Sequence, residues 1–157
     1  MYQHLSKTAR EVLSLSQRIA RRDNSDYVGT EHVLVAILEH GLGLGAQVLE
    51  NHGITLSAVM SQIRQVQQSH AEETWVLGRL PGTPHFKKVI SYALEEAELV
   101  RDKKVGTEYL LLGIFREPGC VAEKALMGLG LTLESARQEV AHLQGRPCWP
   151  ANASSNS

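Results

Sequence analysis

The chain repeats itself. Val28-Gly29-Thr30-Glu31-His32 recurs as Val105-Gly106-Thr107-Glu108-Tyr109, an offset of 77 positions, and such a period restricts the fold to one unit built twice and packed on itself. At the same offset Ser14 falls on Ser91, Ala20 on Ala97, Leu34 on Leu111, Ile37 on Ile114, Leu49 on Leu126, Gly53 on Gly130 and Thr55-Leu56 on Thr132-Leu133, with no insertion.

Within each copy the apolar residues fall at helical spacing. Ala9, Val12, Leu13, Ser16 and Ala20 form a first stripe, Val33, Leu34, Ile37 and Leu38 a second, Leu44, Val48 and Leu49 a third, and Leu56, Val59, Met60 and Ile63 a fourth. The second copy carries the same four stripes, and no strand-like alternation competes with them. Thr30 and Thr107 are expected to cap the second helix of each copy, and Thr55 and Thr132 the fourth. Thr83-Pro84 reads as a helix start, while Gly41, Gly53 and Gly130 sit where helices should end. Four short helices bury a core poorly alone, so the expected fold is all-α: two pseudo-symmetric four-helix repeats packed as one bundle of about eight helices.

The expected domain is residues 1–145, with repeat one at 1–66, a linker at 67–82 and repeat two at 83–145. The linker starts polar and then carries Trp75, Val76, Leu77 and Leu80, which are expected to pack on the bundle. Residues 146–157, rich in Pro, Asn, Ser and Ala, read as a disordered tail.

Composition narrows the function classes. With 16 Lys and Arg against 17 Asp and Glu, the net charge is −1, a balance that favours neither nucleic acid nor an anionic membrane as partner. No apolar run approaches the roughly 20 residues of a membrane span, and the first ten residues lack the pattern of a secretory signal; the expected location is cytoplasmic. Cys120 and Cys148 form no metal or disulfide framework. The seven histidines show no metal motif, because Glu31-His32 followed by His40 is not H-E-x-x-H. Nothing argues for a nucleophile with a positioned base and oxyanion site, so the chain is expected to be no enzyme and to need no cofactor.

A doubled unit with Tyr27 to Val35 and Lys104 to Leu112 at its motif positions, each followed by a loop and then A-x-x-L-x-x-x-G-[VIL]-[ST]-L, resembles the Clp N-terminal repeat from Leu5 to Gly145. The opening of the second copy, Thr83-Pro84-His85-Phe86-Lys87-Lys88-Val89, is similar to that of ClpC-type unfoldases. No G-x-x-x-x-G-K-[ST] phosphate loop occurs, and 157 residues leave no room for an ATPase module beside this domain, so a standalone double-repeat protein is expected.

The resemblance implies a substrate- or adaptor-binding module of a Clp protease system, with a Clp-type ATPase or protease, adaptors and client proteins as partners, and recognition of phospho-arginine. The alternative is an accessory subunit that docks on an unfoldase or protease ring and regulates its assembly. The family's phospho-arginine pockets map onto Glu31 with Ser6 and onto Glu108 with Thr83, and Lys87 can add charge to the second pocket. A carboxylate can hold a guanidinium through two hydrogen bonds, while a helix N-terminus and a hydroxyl can hold phosphoryl oxygens. The same residues also read as helix caps followed by an acid in the first turn, which the helix dipole favours without a ligand.

This sequence departs from the family where an arginine usually follows the opening hydroxyl by two residues: Thr8 and His85 stand there. Arg10 matches Lys87, but Glu11 matches Lys88, a charge balance that favours the second pocket. The loops after the second helices read Glu39-His40-Gly41-Leu42-Gly43 and Arg116-Glu117-Pro118-Gly119-Cys120, where the family usually has R-E-G-E-G.

Overall fold

A computed structural model of the chain describes residues 4–66 and 82–150. Eight α-helices lie among the described residues: α1 Lys7–Arg22, α2 Thr30–His40, α3 Leu44–Asn51, α4 Leu56–Val66, α5 Pro84–Leu99, α6 Thr107–Arg116, α7 Val121–Gly128 and α8 Leu133–Leu143. Each helix of the second copy begins 77 positions after its counterpart. The all-α, doubled architecture read from the stripes is the one observed. No single described helix is long and apolar enough to cross a membrane.

Within each copy the first helix packs on the second, α1 on α2 and α5 on α6; between copies α4 packs on α7 and α3 on α6. The core is continuous, with Leu34, Ile37 and Leu49 of the first copy and Leu110, Leu111, Ile114 and Leu126 of the second fully buried. Two short parallel bridges lace the copies, Leu5 with Val105 and Val28 with Gly82. They obey the repeat: Leu5 and Gly82 are equivalent positions, and so are Val28 and Val105. Gly82 therefore belongs to the second repeat; the remainder of the expected linker, including Trp75, Val76, Leu77 and Leu80, lies outside the described residues.

The caps correct one expectation. Thr55 and Thr132 do cap α4 and α8, accepting from the N–H groups of Ala58 and Ser135 at 3.2 Å each. Thr30 and Thr107 do not cap α2 and α6, whose N-caps are Gly29 and Gly106. Instead each threonine is the first helical residue and reaches into the other copy. Thr30 Oγ1 accepts from Ala122 N–H of α7 at 3.2 Å, and Thr107 Oγ1 accepts from Gly45 N–H of α3 at 2.9 Å. A helix N-terminus leaves backbone donors without intrahelical partners, and here each repeat supplies the missing acceptor to the other.

A second correction concerns the expected tail. Residues 146–150 are described, and Trp149 is buried at 8% exposure, its indole N–H donating to Glu96 Oε2 at 3.1 Å. Glu96 is fully buried and also bonds Arg137, with the Arg116 guanidinium 3.7 Å away. A buried carboxylate is stable only with donors around it, and Trp149 is one of them, so a polar average over 146–157 concealed an anchored residue. Residues 151–157 lie outside the described residues.

Candidate functional site

Ser6 and Thr83 occupy the N-caps of α1 and α5, where their hydroxyls accept from Ala9 N–H at 3.1 Å and Phe86 N–H at 3.0 Å. An accepting hydroxyl keeps its own O–H to donate. Pro84 at the first helical position of α5 adds a preset φ where a missing N–H costs nothing.

The neighbours of these hydroxyls come from the other copy. Ser6 N–H donates to Val105 O at 2.9 Å and Val105 N–H to His4 O at 2.8 Å, while Thr83 N–H donates to Val28 O at 3.0 Å. The backbone of each opening residue is thus paired with the other copy. Ser6 is tied to the segment that carries Glu108, and Thr83 to the segment that carries Glu31. Sequence equivalence identifies matching positions but is silent on which copy completes which site, and in a laced dimer of repeats the partner is the other copy.

Each glutamate sits in the first turn of its helix and is nearly buried, Glu31 at 5% and Glu108 at 7% exposure. The carboxylates fold back over Gly29 and Gly106, so close that a Cβ on either glycine would collide with them. The glycine before each Thr-Glu in this chain therefore makes room for the acid. Burial pushes the Glu108 carboxyl above its ordinary value, opposed by its own N–H and by Gln144, whose Nε2 donates to Glu108 Oε2 at 3.3 Å. Beside Glu31 the position of Tyr109 is taken by His32, whose Nδ1 accepts from Gly29 N–H at 2.9 Å. Burial holds that imidazole below its ordinary pKa despite the nearby Glu31 charge.

The third wall of each site is the N-terminus of α3 or α7. At the Ser6 site it is the glycine-rich turn ahead of α3, where Gly43 has φ +98 and a Cβ would meet Thr107 Oγ1 at 2.7 Å and the Thr8 methyl at 3.0 Å. At the Thr83 site the equivalent N-cap is Cys120, a buried thiol raised by burial above its ordinary pKa. Three helix N-termini therefore meet at each site: α1, α3 and α6 at one, α5, α7 and α2 at the other. Such convergence concentrates partial positive charge beside a buried carboxylate. Lys87 lies on the exposed side of α5, its N–H donating to Thr83 O at 3.1 Å. No group of three or more His, Cys, Asp or Glu able to hold a metal occurs among the described residues. The cross-copy threonines escaped the sequence reading as site components, although Thr30 and Thr107 stand inside the repeated motif.

The fold defines a class of all-helical, two-repeat domain. The family model described as the Clp repeat (R) N-terminal domain matches residues 4–129 and 82–146, and the chain belongs to this family. It is 35% identical over 147 residues to an ATP-dependent Clp protease ATP-binding subunit ClpC of Staphylococcus saprophyticus, spanning 94% of this chain and 18% of that protein. It is 34% identical over 145 residues to a ClpA homolog of Cyanidium caldarium, spanning 92% of this chain and 17% of that one. The chain thus corresponds to under a fifth of the length of these relatives. Among solved structures it is similar to the N-terminal domain of the chaperone ClpD from Arabidopsis thaliana, with a TM-score of 0.71 at 17% identity, covering 92% of this chain and 97% of that one. It is also similar to the Hsp104 N-terminal domain from Candida albicans, with a TM-score of 0.73 at 10% identity, covering 92% and 93%.

Proposed function

We propose that this chain is a non-catalytic receptor that binds client or adaptor proteins for a Clp-type ATPase or protease, and that the group it recognises is a phosphorylated arginine side chain. The observation that carries the reading is the crossed site, a hydroxyl-bearing helix N-terminus of one repeat laced by backbone hydrogen bonds to the Gly-Thr-Glu turn of the other. Phospho-arginine needs two opposite chemistries within one side chain. At the Ser6 site its guanidinium finds a carboxylate in Glu108, and its phosphoryl oxygens find N–H and O–H donors in the helix N-termini and Ser6.

The test is calorimetric titration with phospho-arginine, run beside arginine, phosphoserine and a Glu31→Ala/Glu108→Ala double variant. Saturable binding of phospho-arginine that the double variant loses is the expected result. No heat at millimolar ligand would remove this reading and leave docking on a Clp ring, which a pull-down of Clp subunits with the same double variant then tests.

A further inference from the structure

The two sites are equivalent by repeat but not by charge, and Glu117 makes the difference. It closes α6, its side chain is only 5% exposed, and its Oε1 lies 3.2 Å from His85 Nδ1 in the first turn of α5. Its Oε2 is buried and has no hydrogen-bond partner among the described residues. Glu117 stands three residues before Cys120, the N-cap of α7, and its charge is felt at the Cys120 thiol. The Glu117 carboxylate is therefore set among the helix N-termini of the Thr83 site. At the equivalent place in the Ser6 site stands His40, which bonds the half-exposed carboxylate of Glu11 at 2.8 Å. There Thr8 replaces His85, and Gly43 replaces Cys120.

The consequences follow from elementary electrostatics. Convergent helix N-termini attract an anion, but at the Thr83 site a resident carboxylate already meets that demand, and a phosphoryl group entering beside it would pay like-charge repulsion in a partly dry place. A buried carboxylate oxygen without a donor is itself costly, and the group that best satisfies it is a planar cation with several N–H donors. Glu31, the other carboxylate of this site, adds to the same preference, whereas at the Ser6 site the carboxylate beside Glu108 is that of Glu11, which is half-exposed and paired with His40.

We infer that the two sites have opposite charge preferences: the Ser6 site accepts the phosphorylated guanidinium, while Glu117 reserves the Thr83 site for an unphosphorylated arginine side chain. This rests on the phospho-arginine reading for the Ser6 site and reverses the preference for the second site that Lys87 and Lys88 suggest in the sequence. A client would then be held by one marked and one unmarked arginine, and two such contacts on one chain gain from effective concentration.

The experiment is amide NMR titration of the whole chain with phospho-arginine and, separately, with N-acetyl-arginine amide, which carries no carboxylate. Phospho-arginine should move the amides of Ser6, Gly45 and Thr107, and N-acetyl-arginine amide those of Thr83, Cys120 and Ala122. Glu117→Gln keeps the shape and the acceptor for His85 while removing the charge. It should weaken N-acetyl-arginine amide binding about tenfold or more and let phospho-arginine reach the Thr83 set. The inference is overturned if phospho-arginine moves both sets with similar midpoints in the unmodified chain, if N-acetyl-arginine amide leaves the Thr83 set still, or if Glu117→Gln changes neither preference. Silence of the Ser6 set toward phospho-arginine would remove the phosphoryl reading, and the N-acetyl-arginine amide arm would still decide the role of Glu117.

Discussion

His32 shows how one side chain can couple the first repeat to pH. Its Nδ1 accepts from Gly29 N–H, so that nitrogen must stay unprotonated for the turn ahead of α2 to keep its hydrogen bond. Burial lowers its pKa in the folded chain, while unfolding returns it to about 6.5. A histidine with a depressed folded pKa contributes stability above its unfolded pKa and loses it as pH falls towards and through the folded value. Glu108 acts in the opposite sense, because its folded pKa is raised and protonation favours the fold. Thermal melts between pH 7.5 and about 5 should therefore show the Tm falling with a component that His32→Asn removes, since the Asn oxygen can accept from Gly29 without titrating. Equal slopes for the two proteins would exclude the effect. At this scale the sequence exposed the chemistry of Glu31, Glu108, Ser6 and Thr83 but not their grouping, because the backbone partners of Ser6 and Thr83 are about 100 and about 55 residues away and no local spacing encodes them. Trp149 was hidden for a related reason: its indole hydrogen bond runs to Glu96, 53 residues upstream.

The helices were legible because amphipathic periodicity is a local property, and every helix contains its stripe. The caps were legible where the cap is local, as at Thr83, Thr55 and Thr132, and misread where it is not. Thr30 and Thr107 follow glycine at helix starts, which favours the ordinary capping reading, yet both hydroxyls serve α7 and α3 of the opposite repeat. This separates two models by experiment. If Thr30 served α2, Thr30→Val would loosen the amides of α2; the observed geometry instead requires faster hydrogen exchange at Ala122, in the other repeat. Removing a buried acceptor leaves a donor unsatisfied, so Thr30→Val and Thr107→Val should each cost about 1–3 kcal/mol in urea unfolding. Thr→Ser, which keeps the oxygen, should recover most of that loss.

At the scale of the whole molecule, the reciprocal bonds make each repeat incomplete. Taken alone, the first repeat loses the acceptor for Gly45 N–H, the strand partner of Leu5 and the helices α6 and α7 that cover α3 and α4. Domains this small have little apolar area to spare against chain entropy. Yet the lost partners all have equivalents in the first repeat itself: Thr30 stands for Thr107, and Val28 for Val105. A second copy of residues 1–66 can therefore replace the missing repeat, forming Thr30 to Gly45 hydrogen bonds and Leu5 to Val28 bridges in both directions about a true two-fold axis. The expected behaviour of that fragment is an unfolded monomer at low concentration and a helical homodimer at high concentration, with helicity and mass rising together by circular dichroism and light scattering. A folded, helical monomer at low micromolar concentration would mean that one repeat is self-sufficient, and that the laced contacts between copies were added to a unit already stable without them.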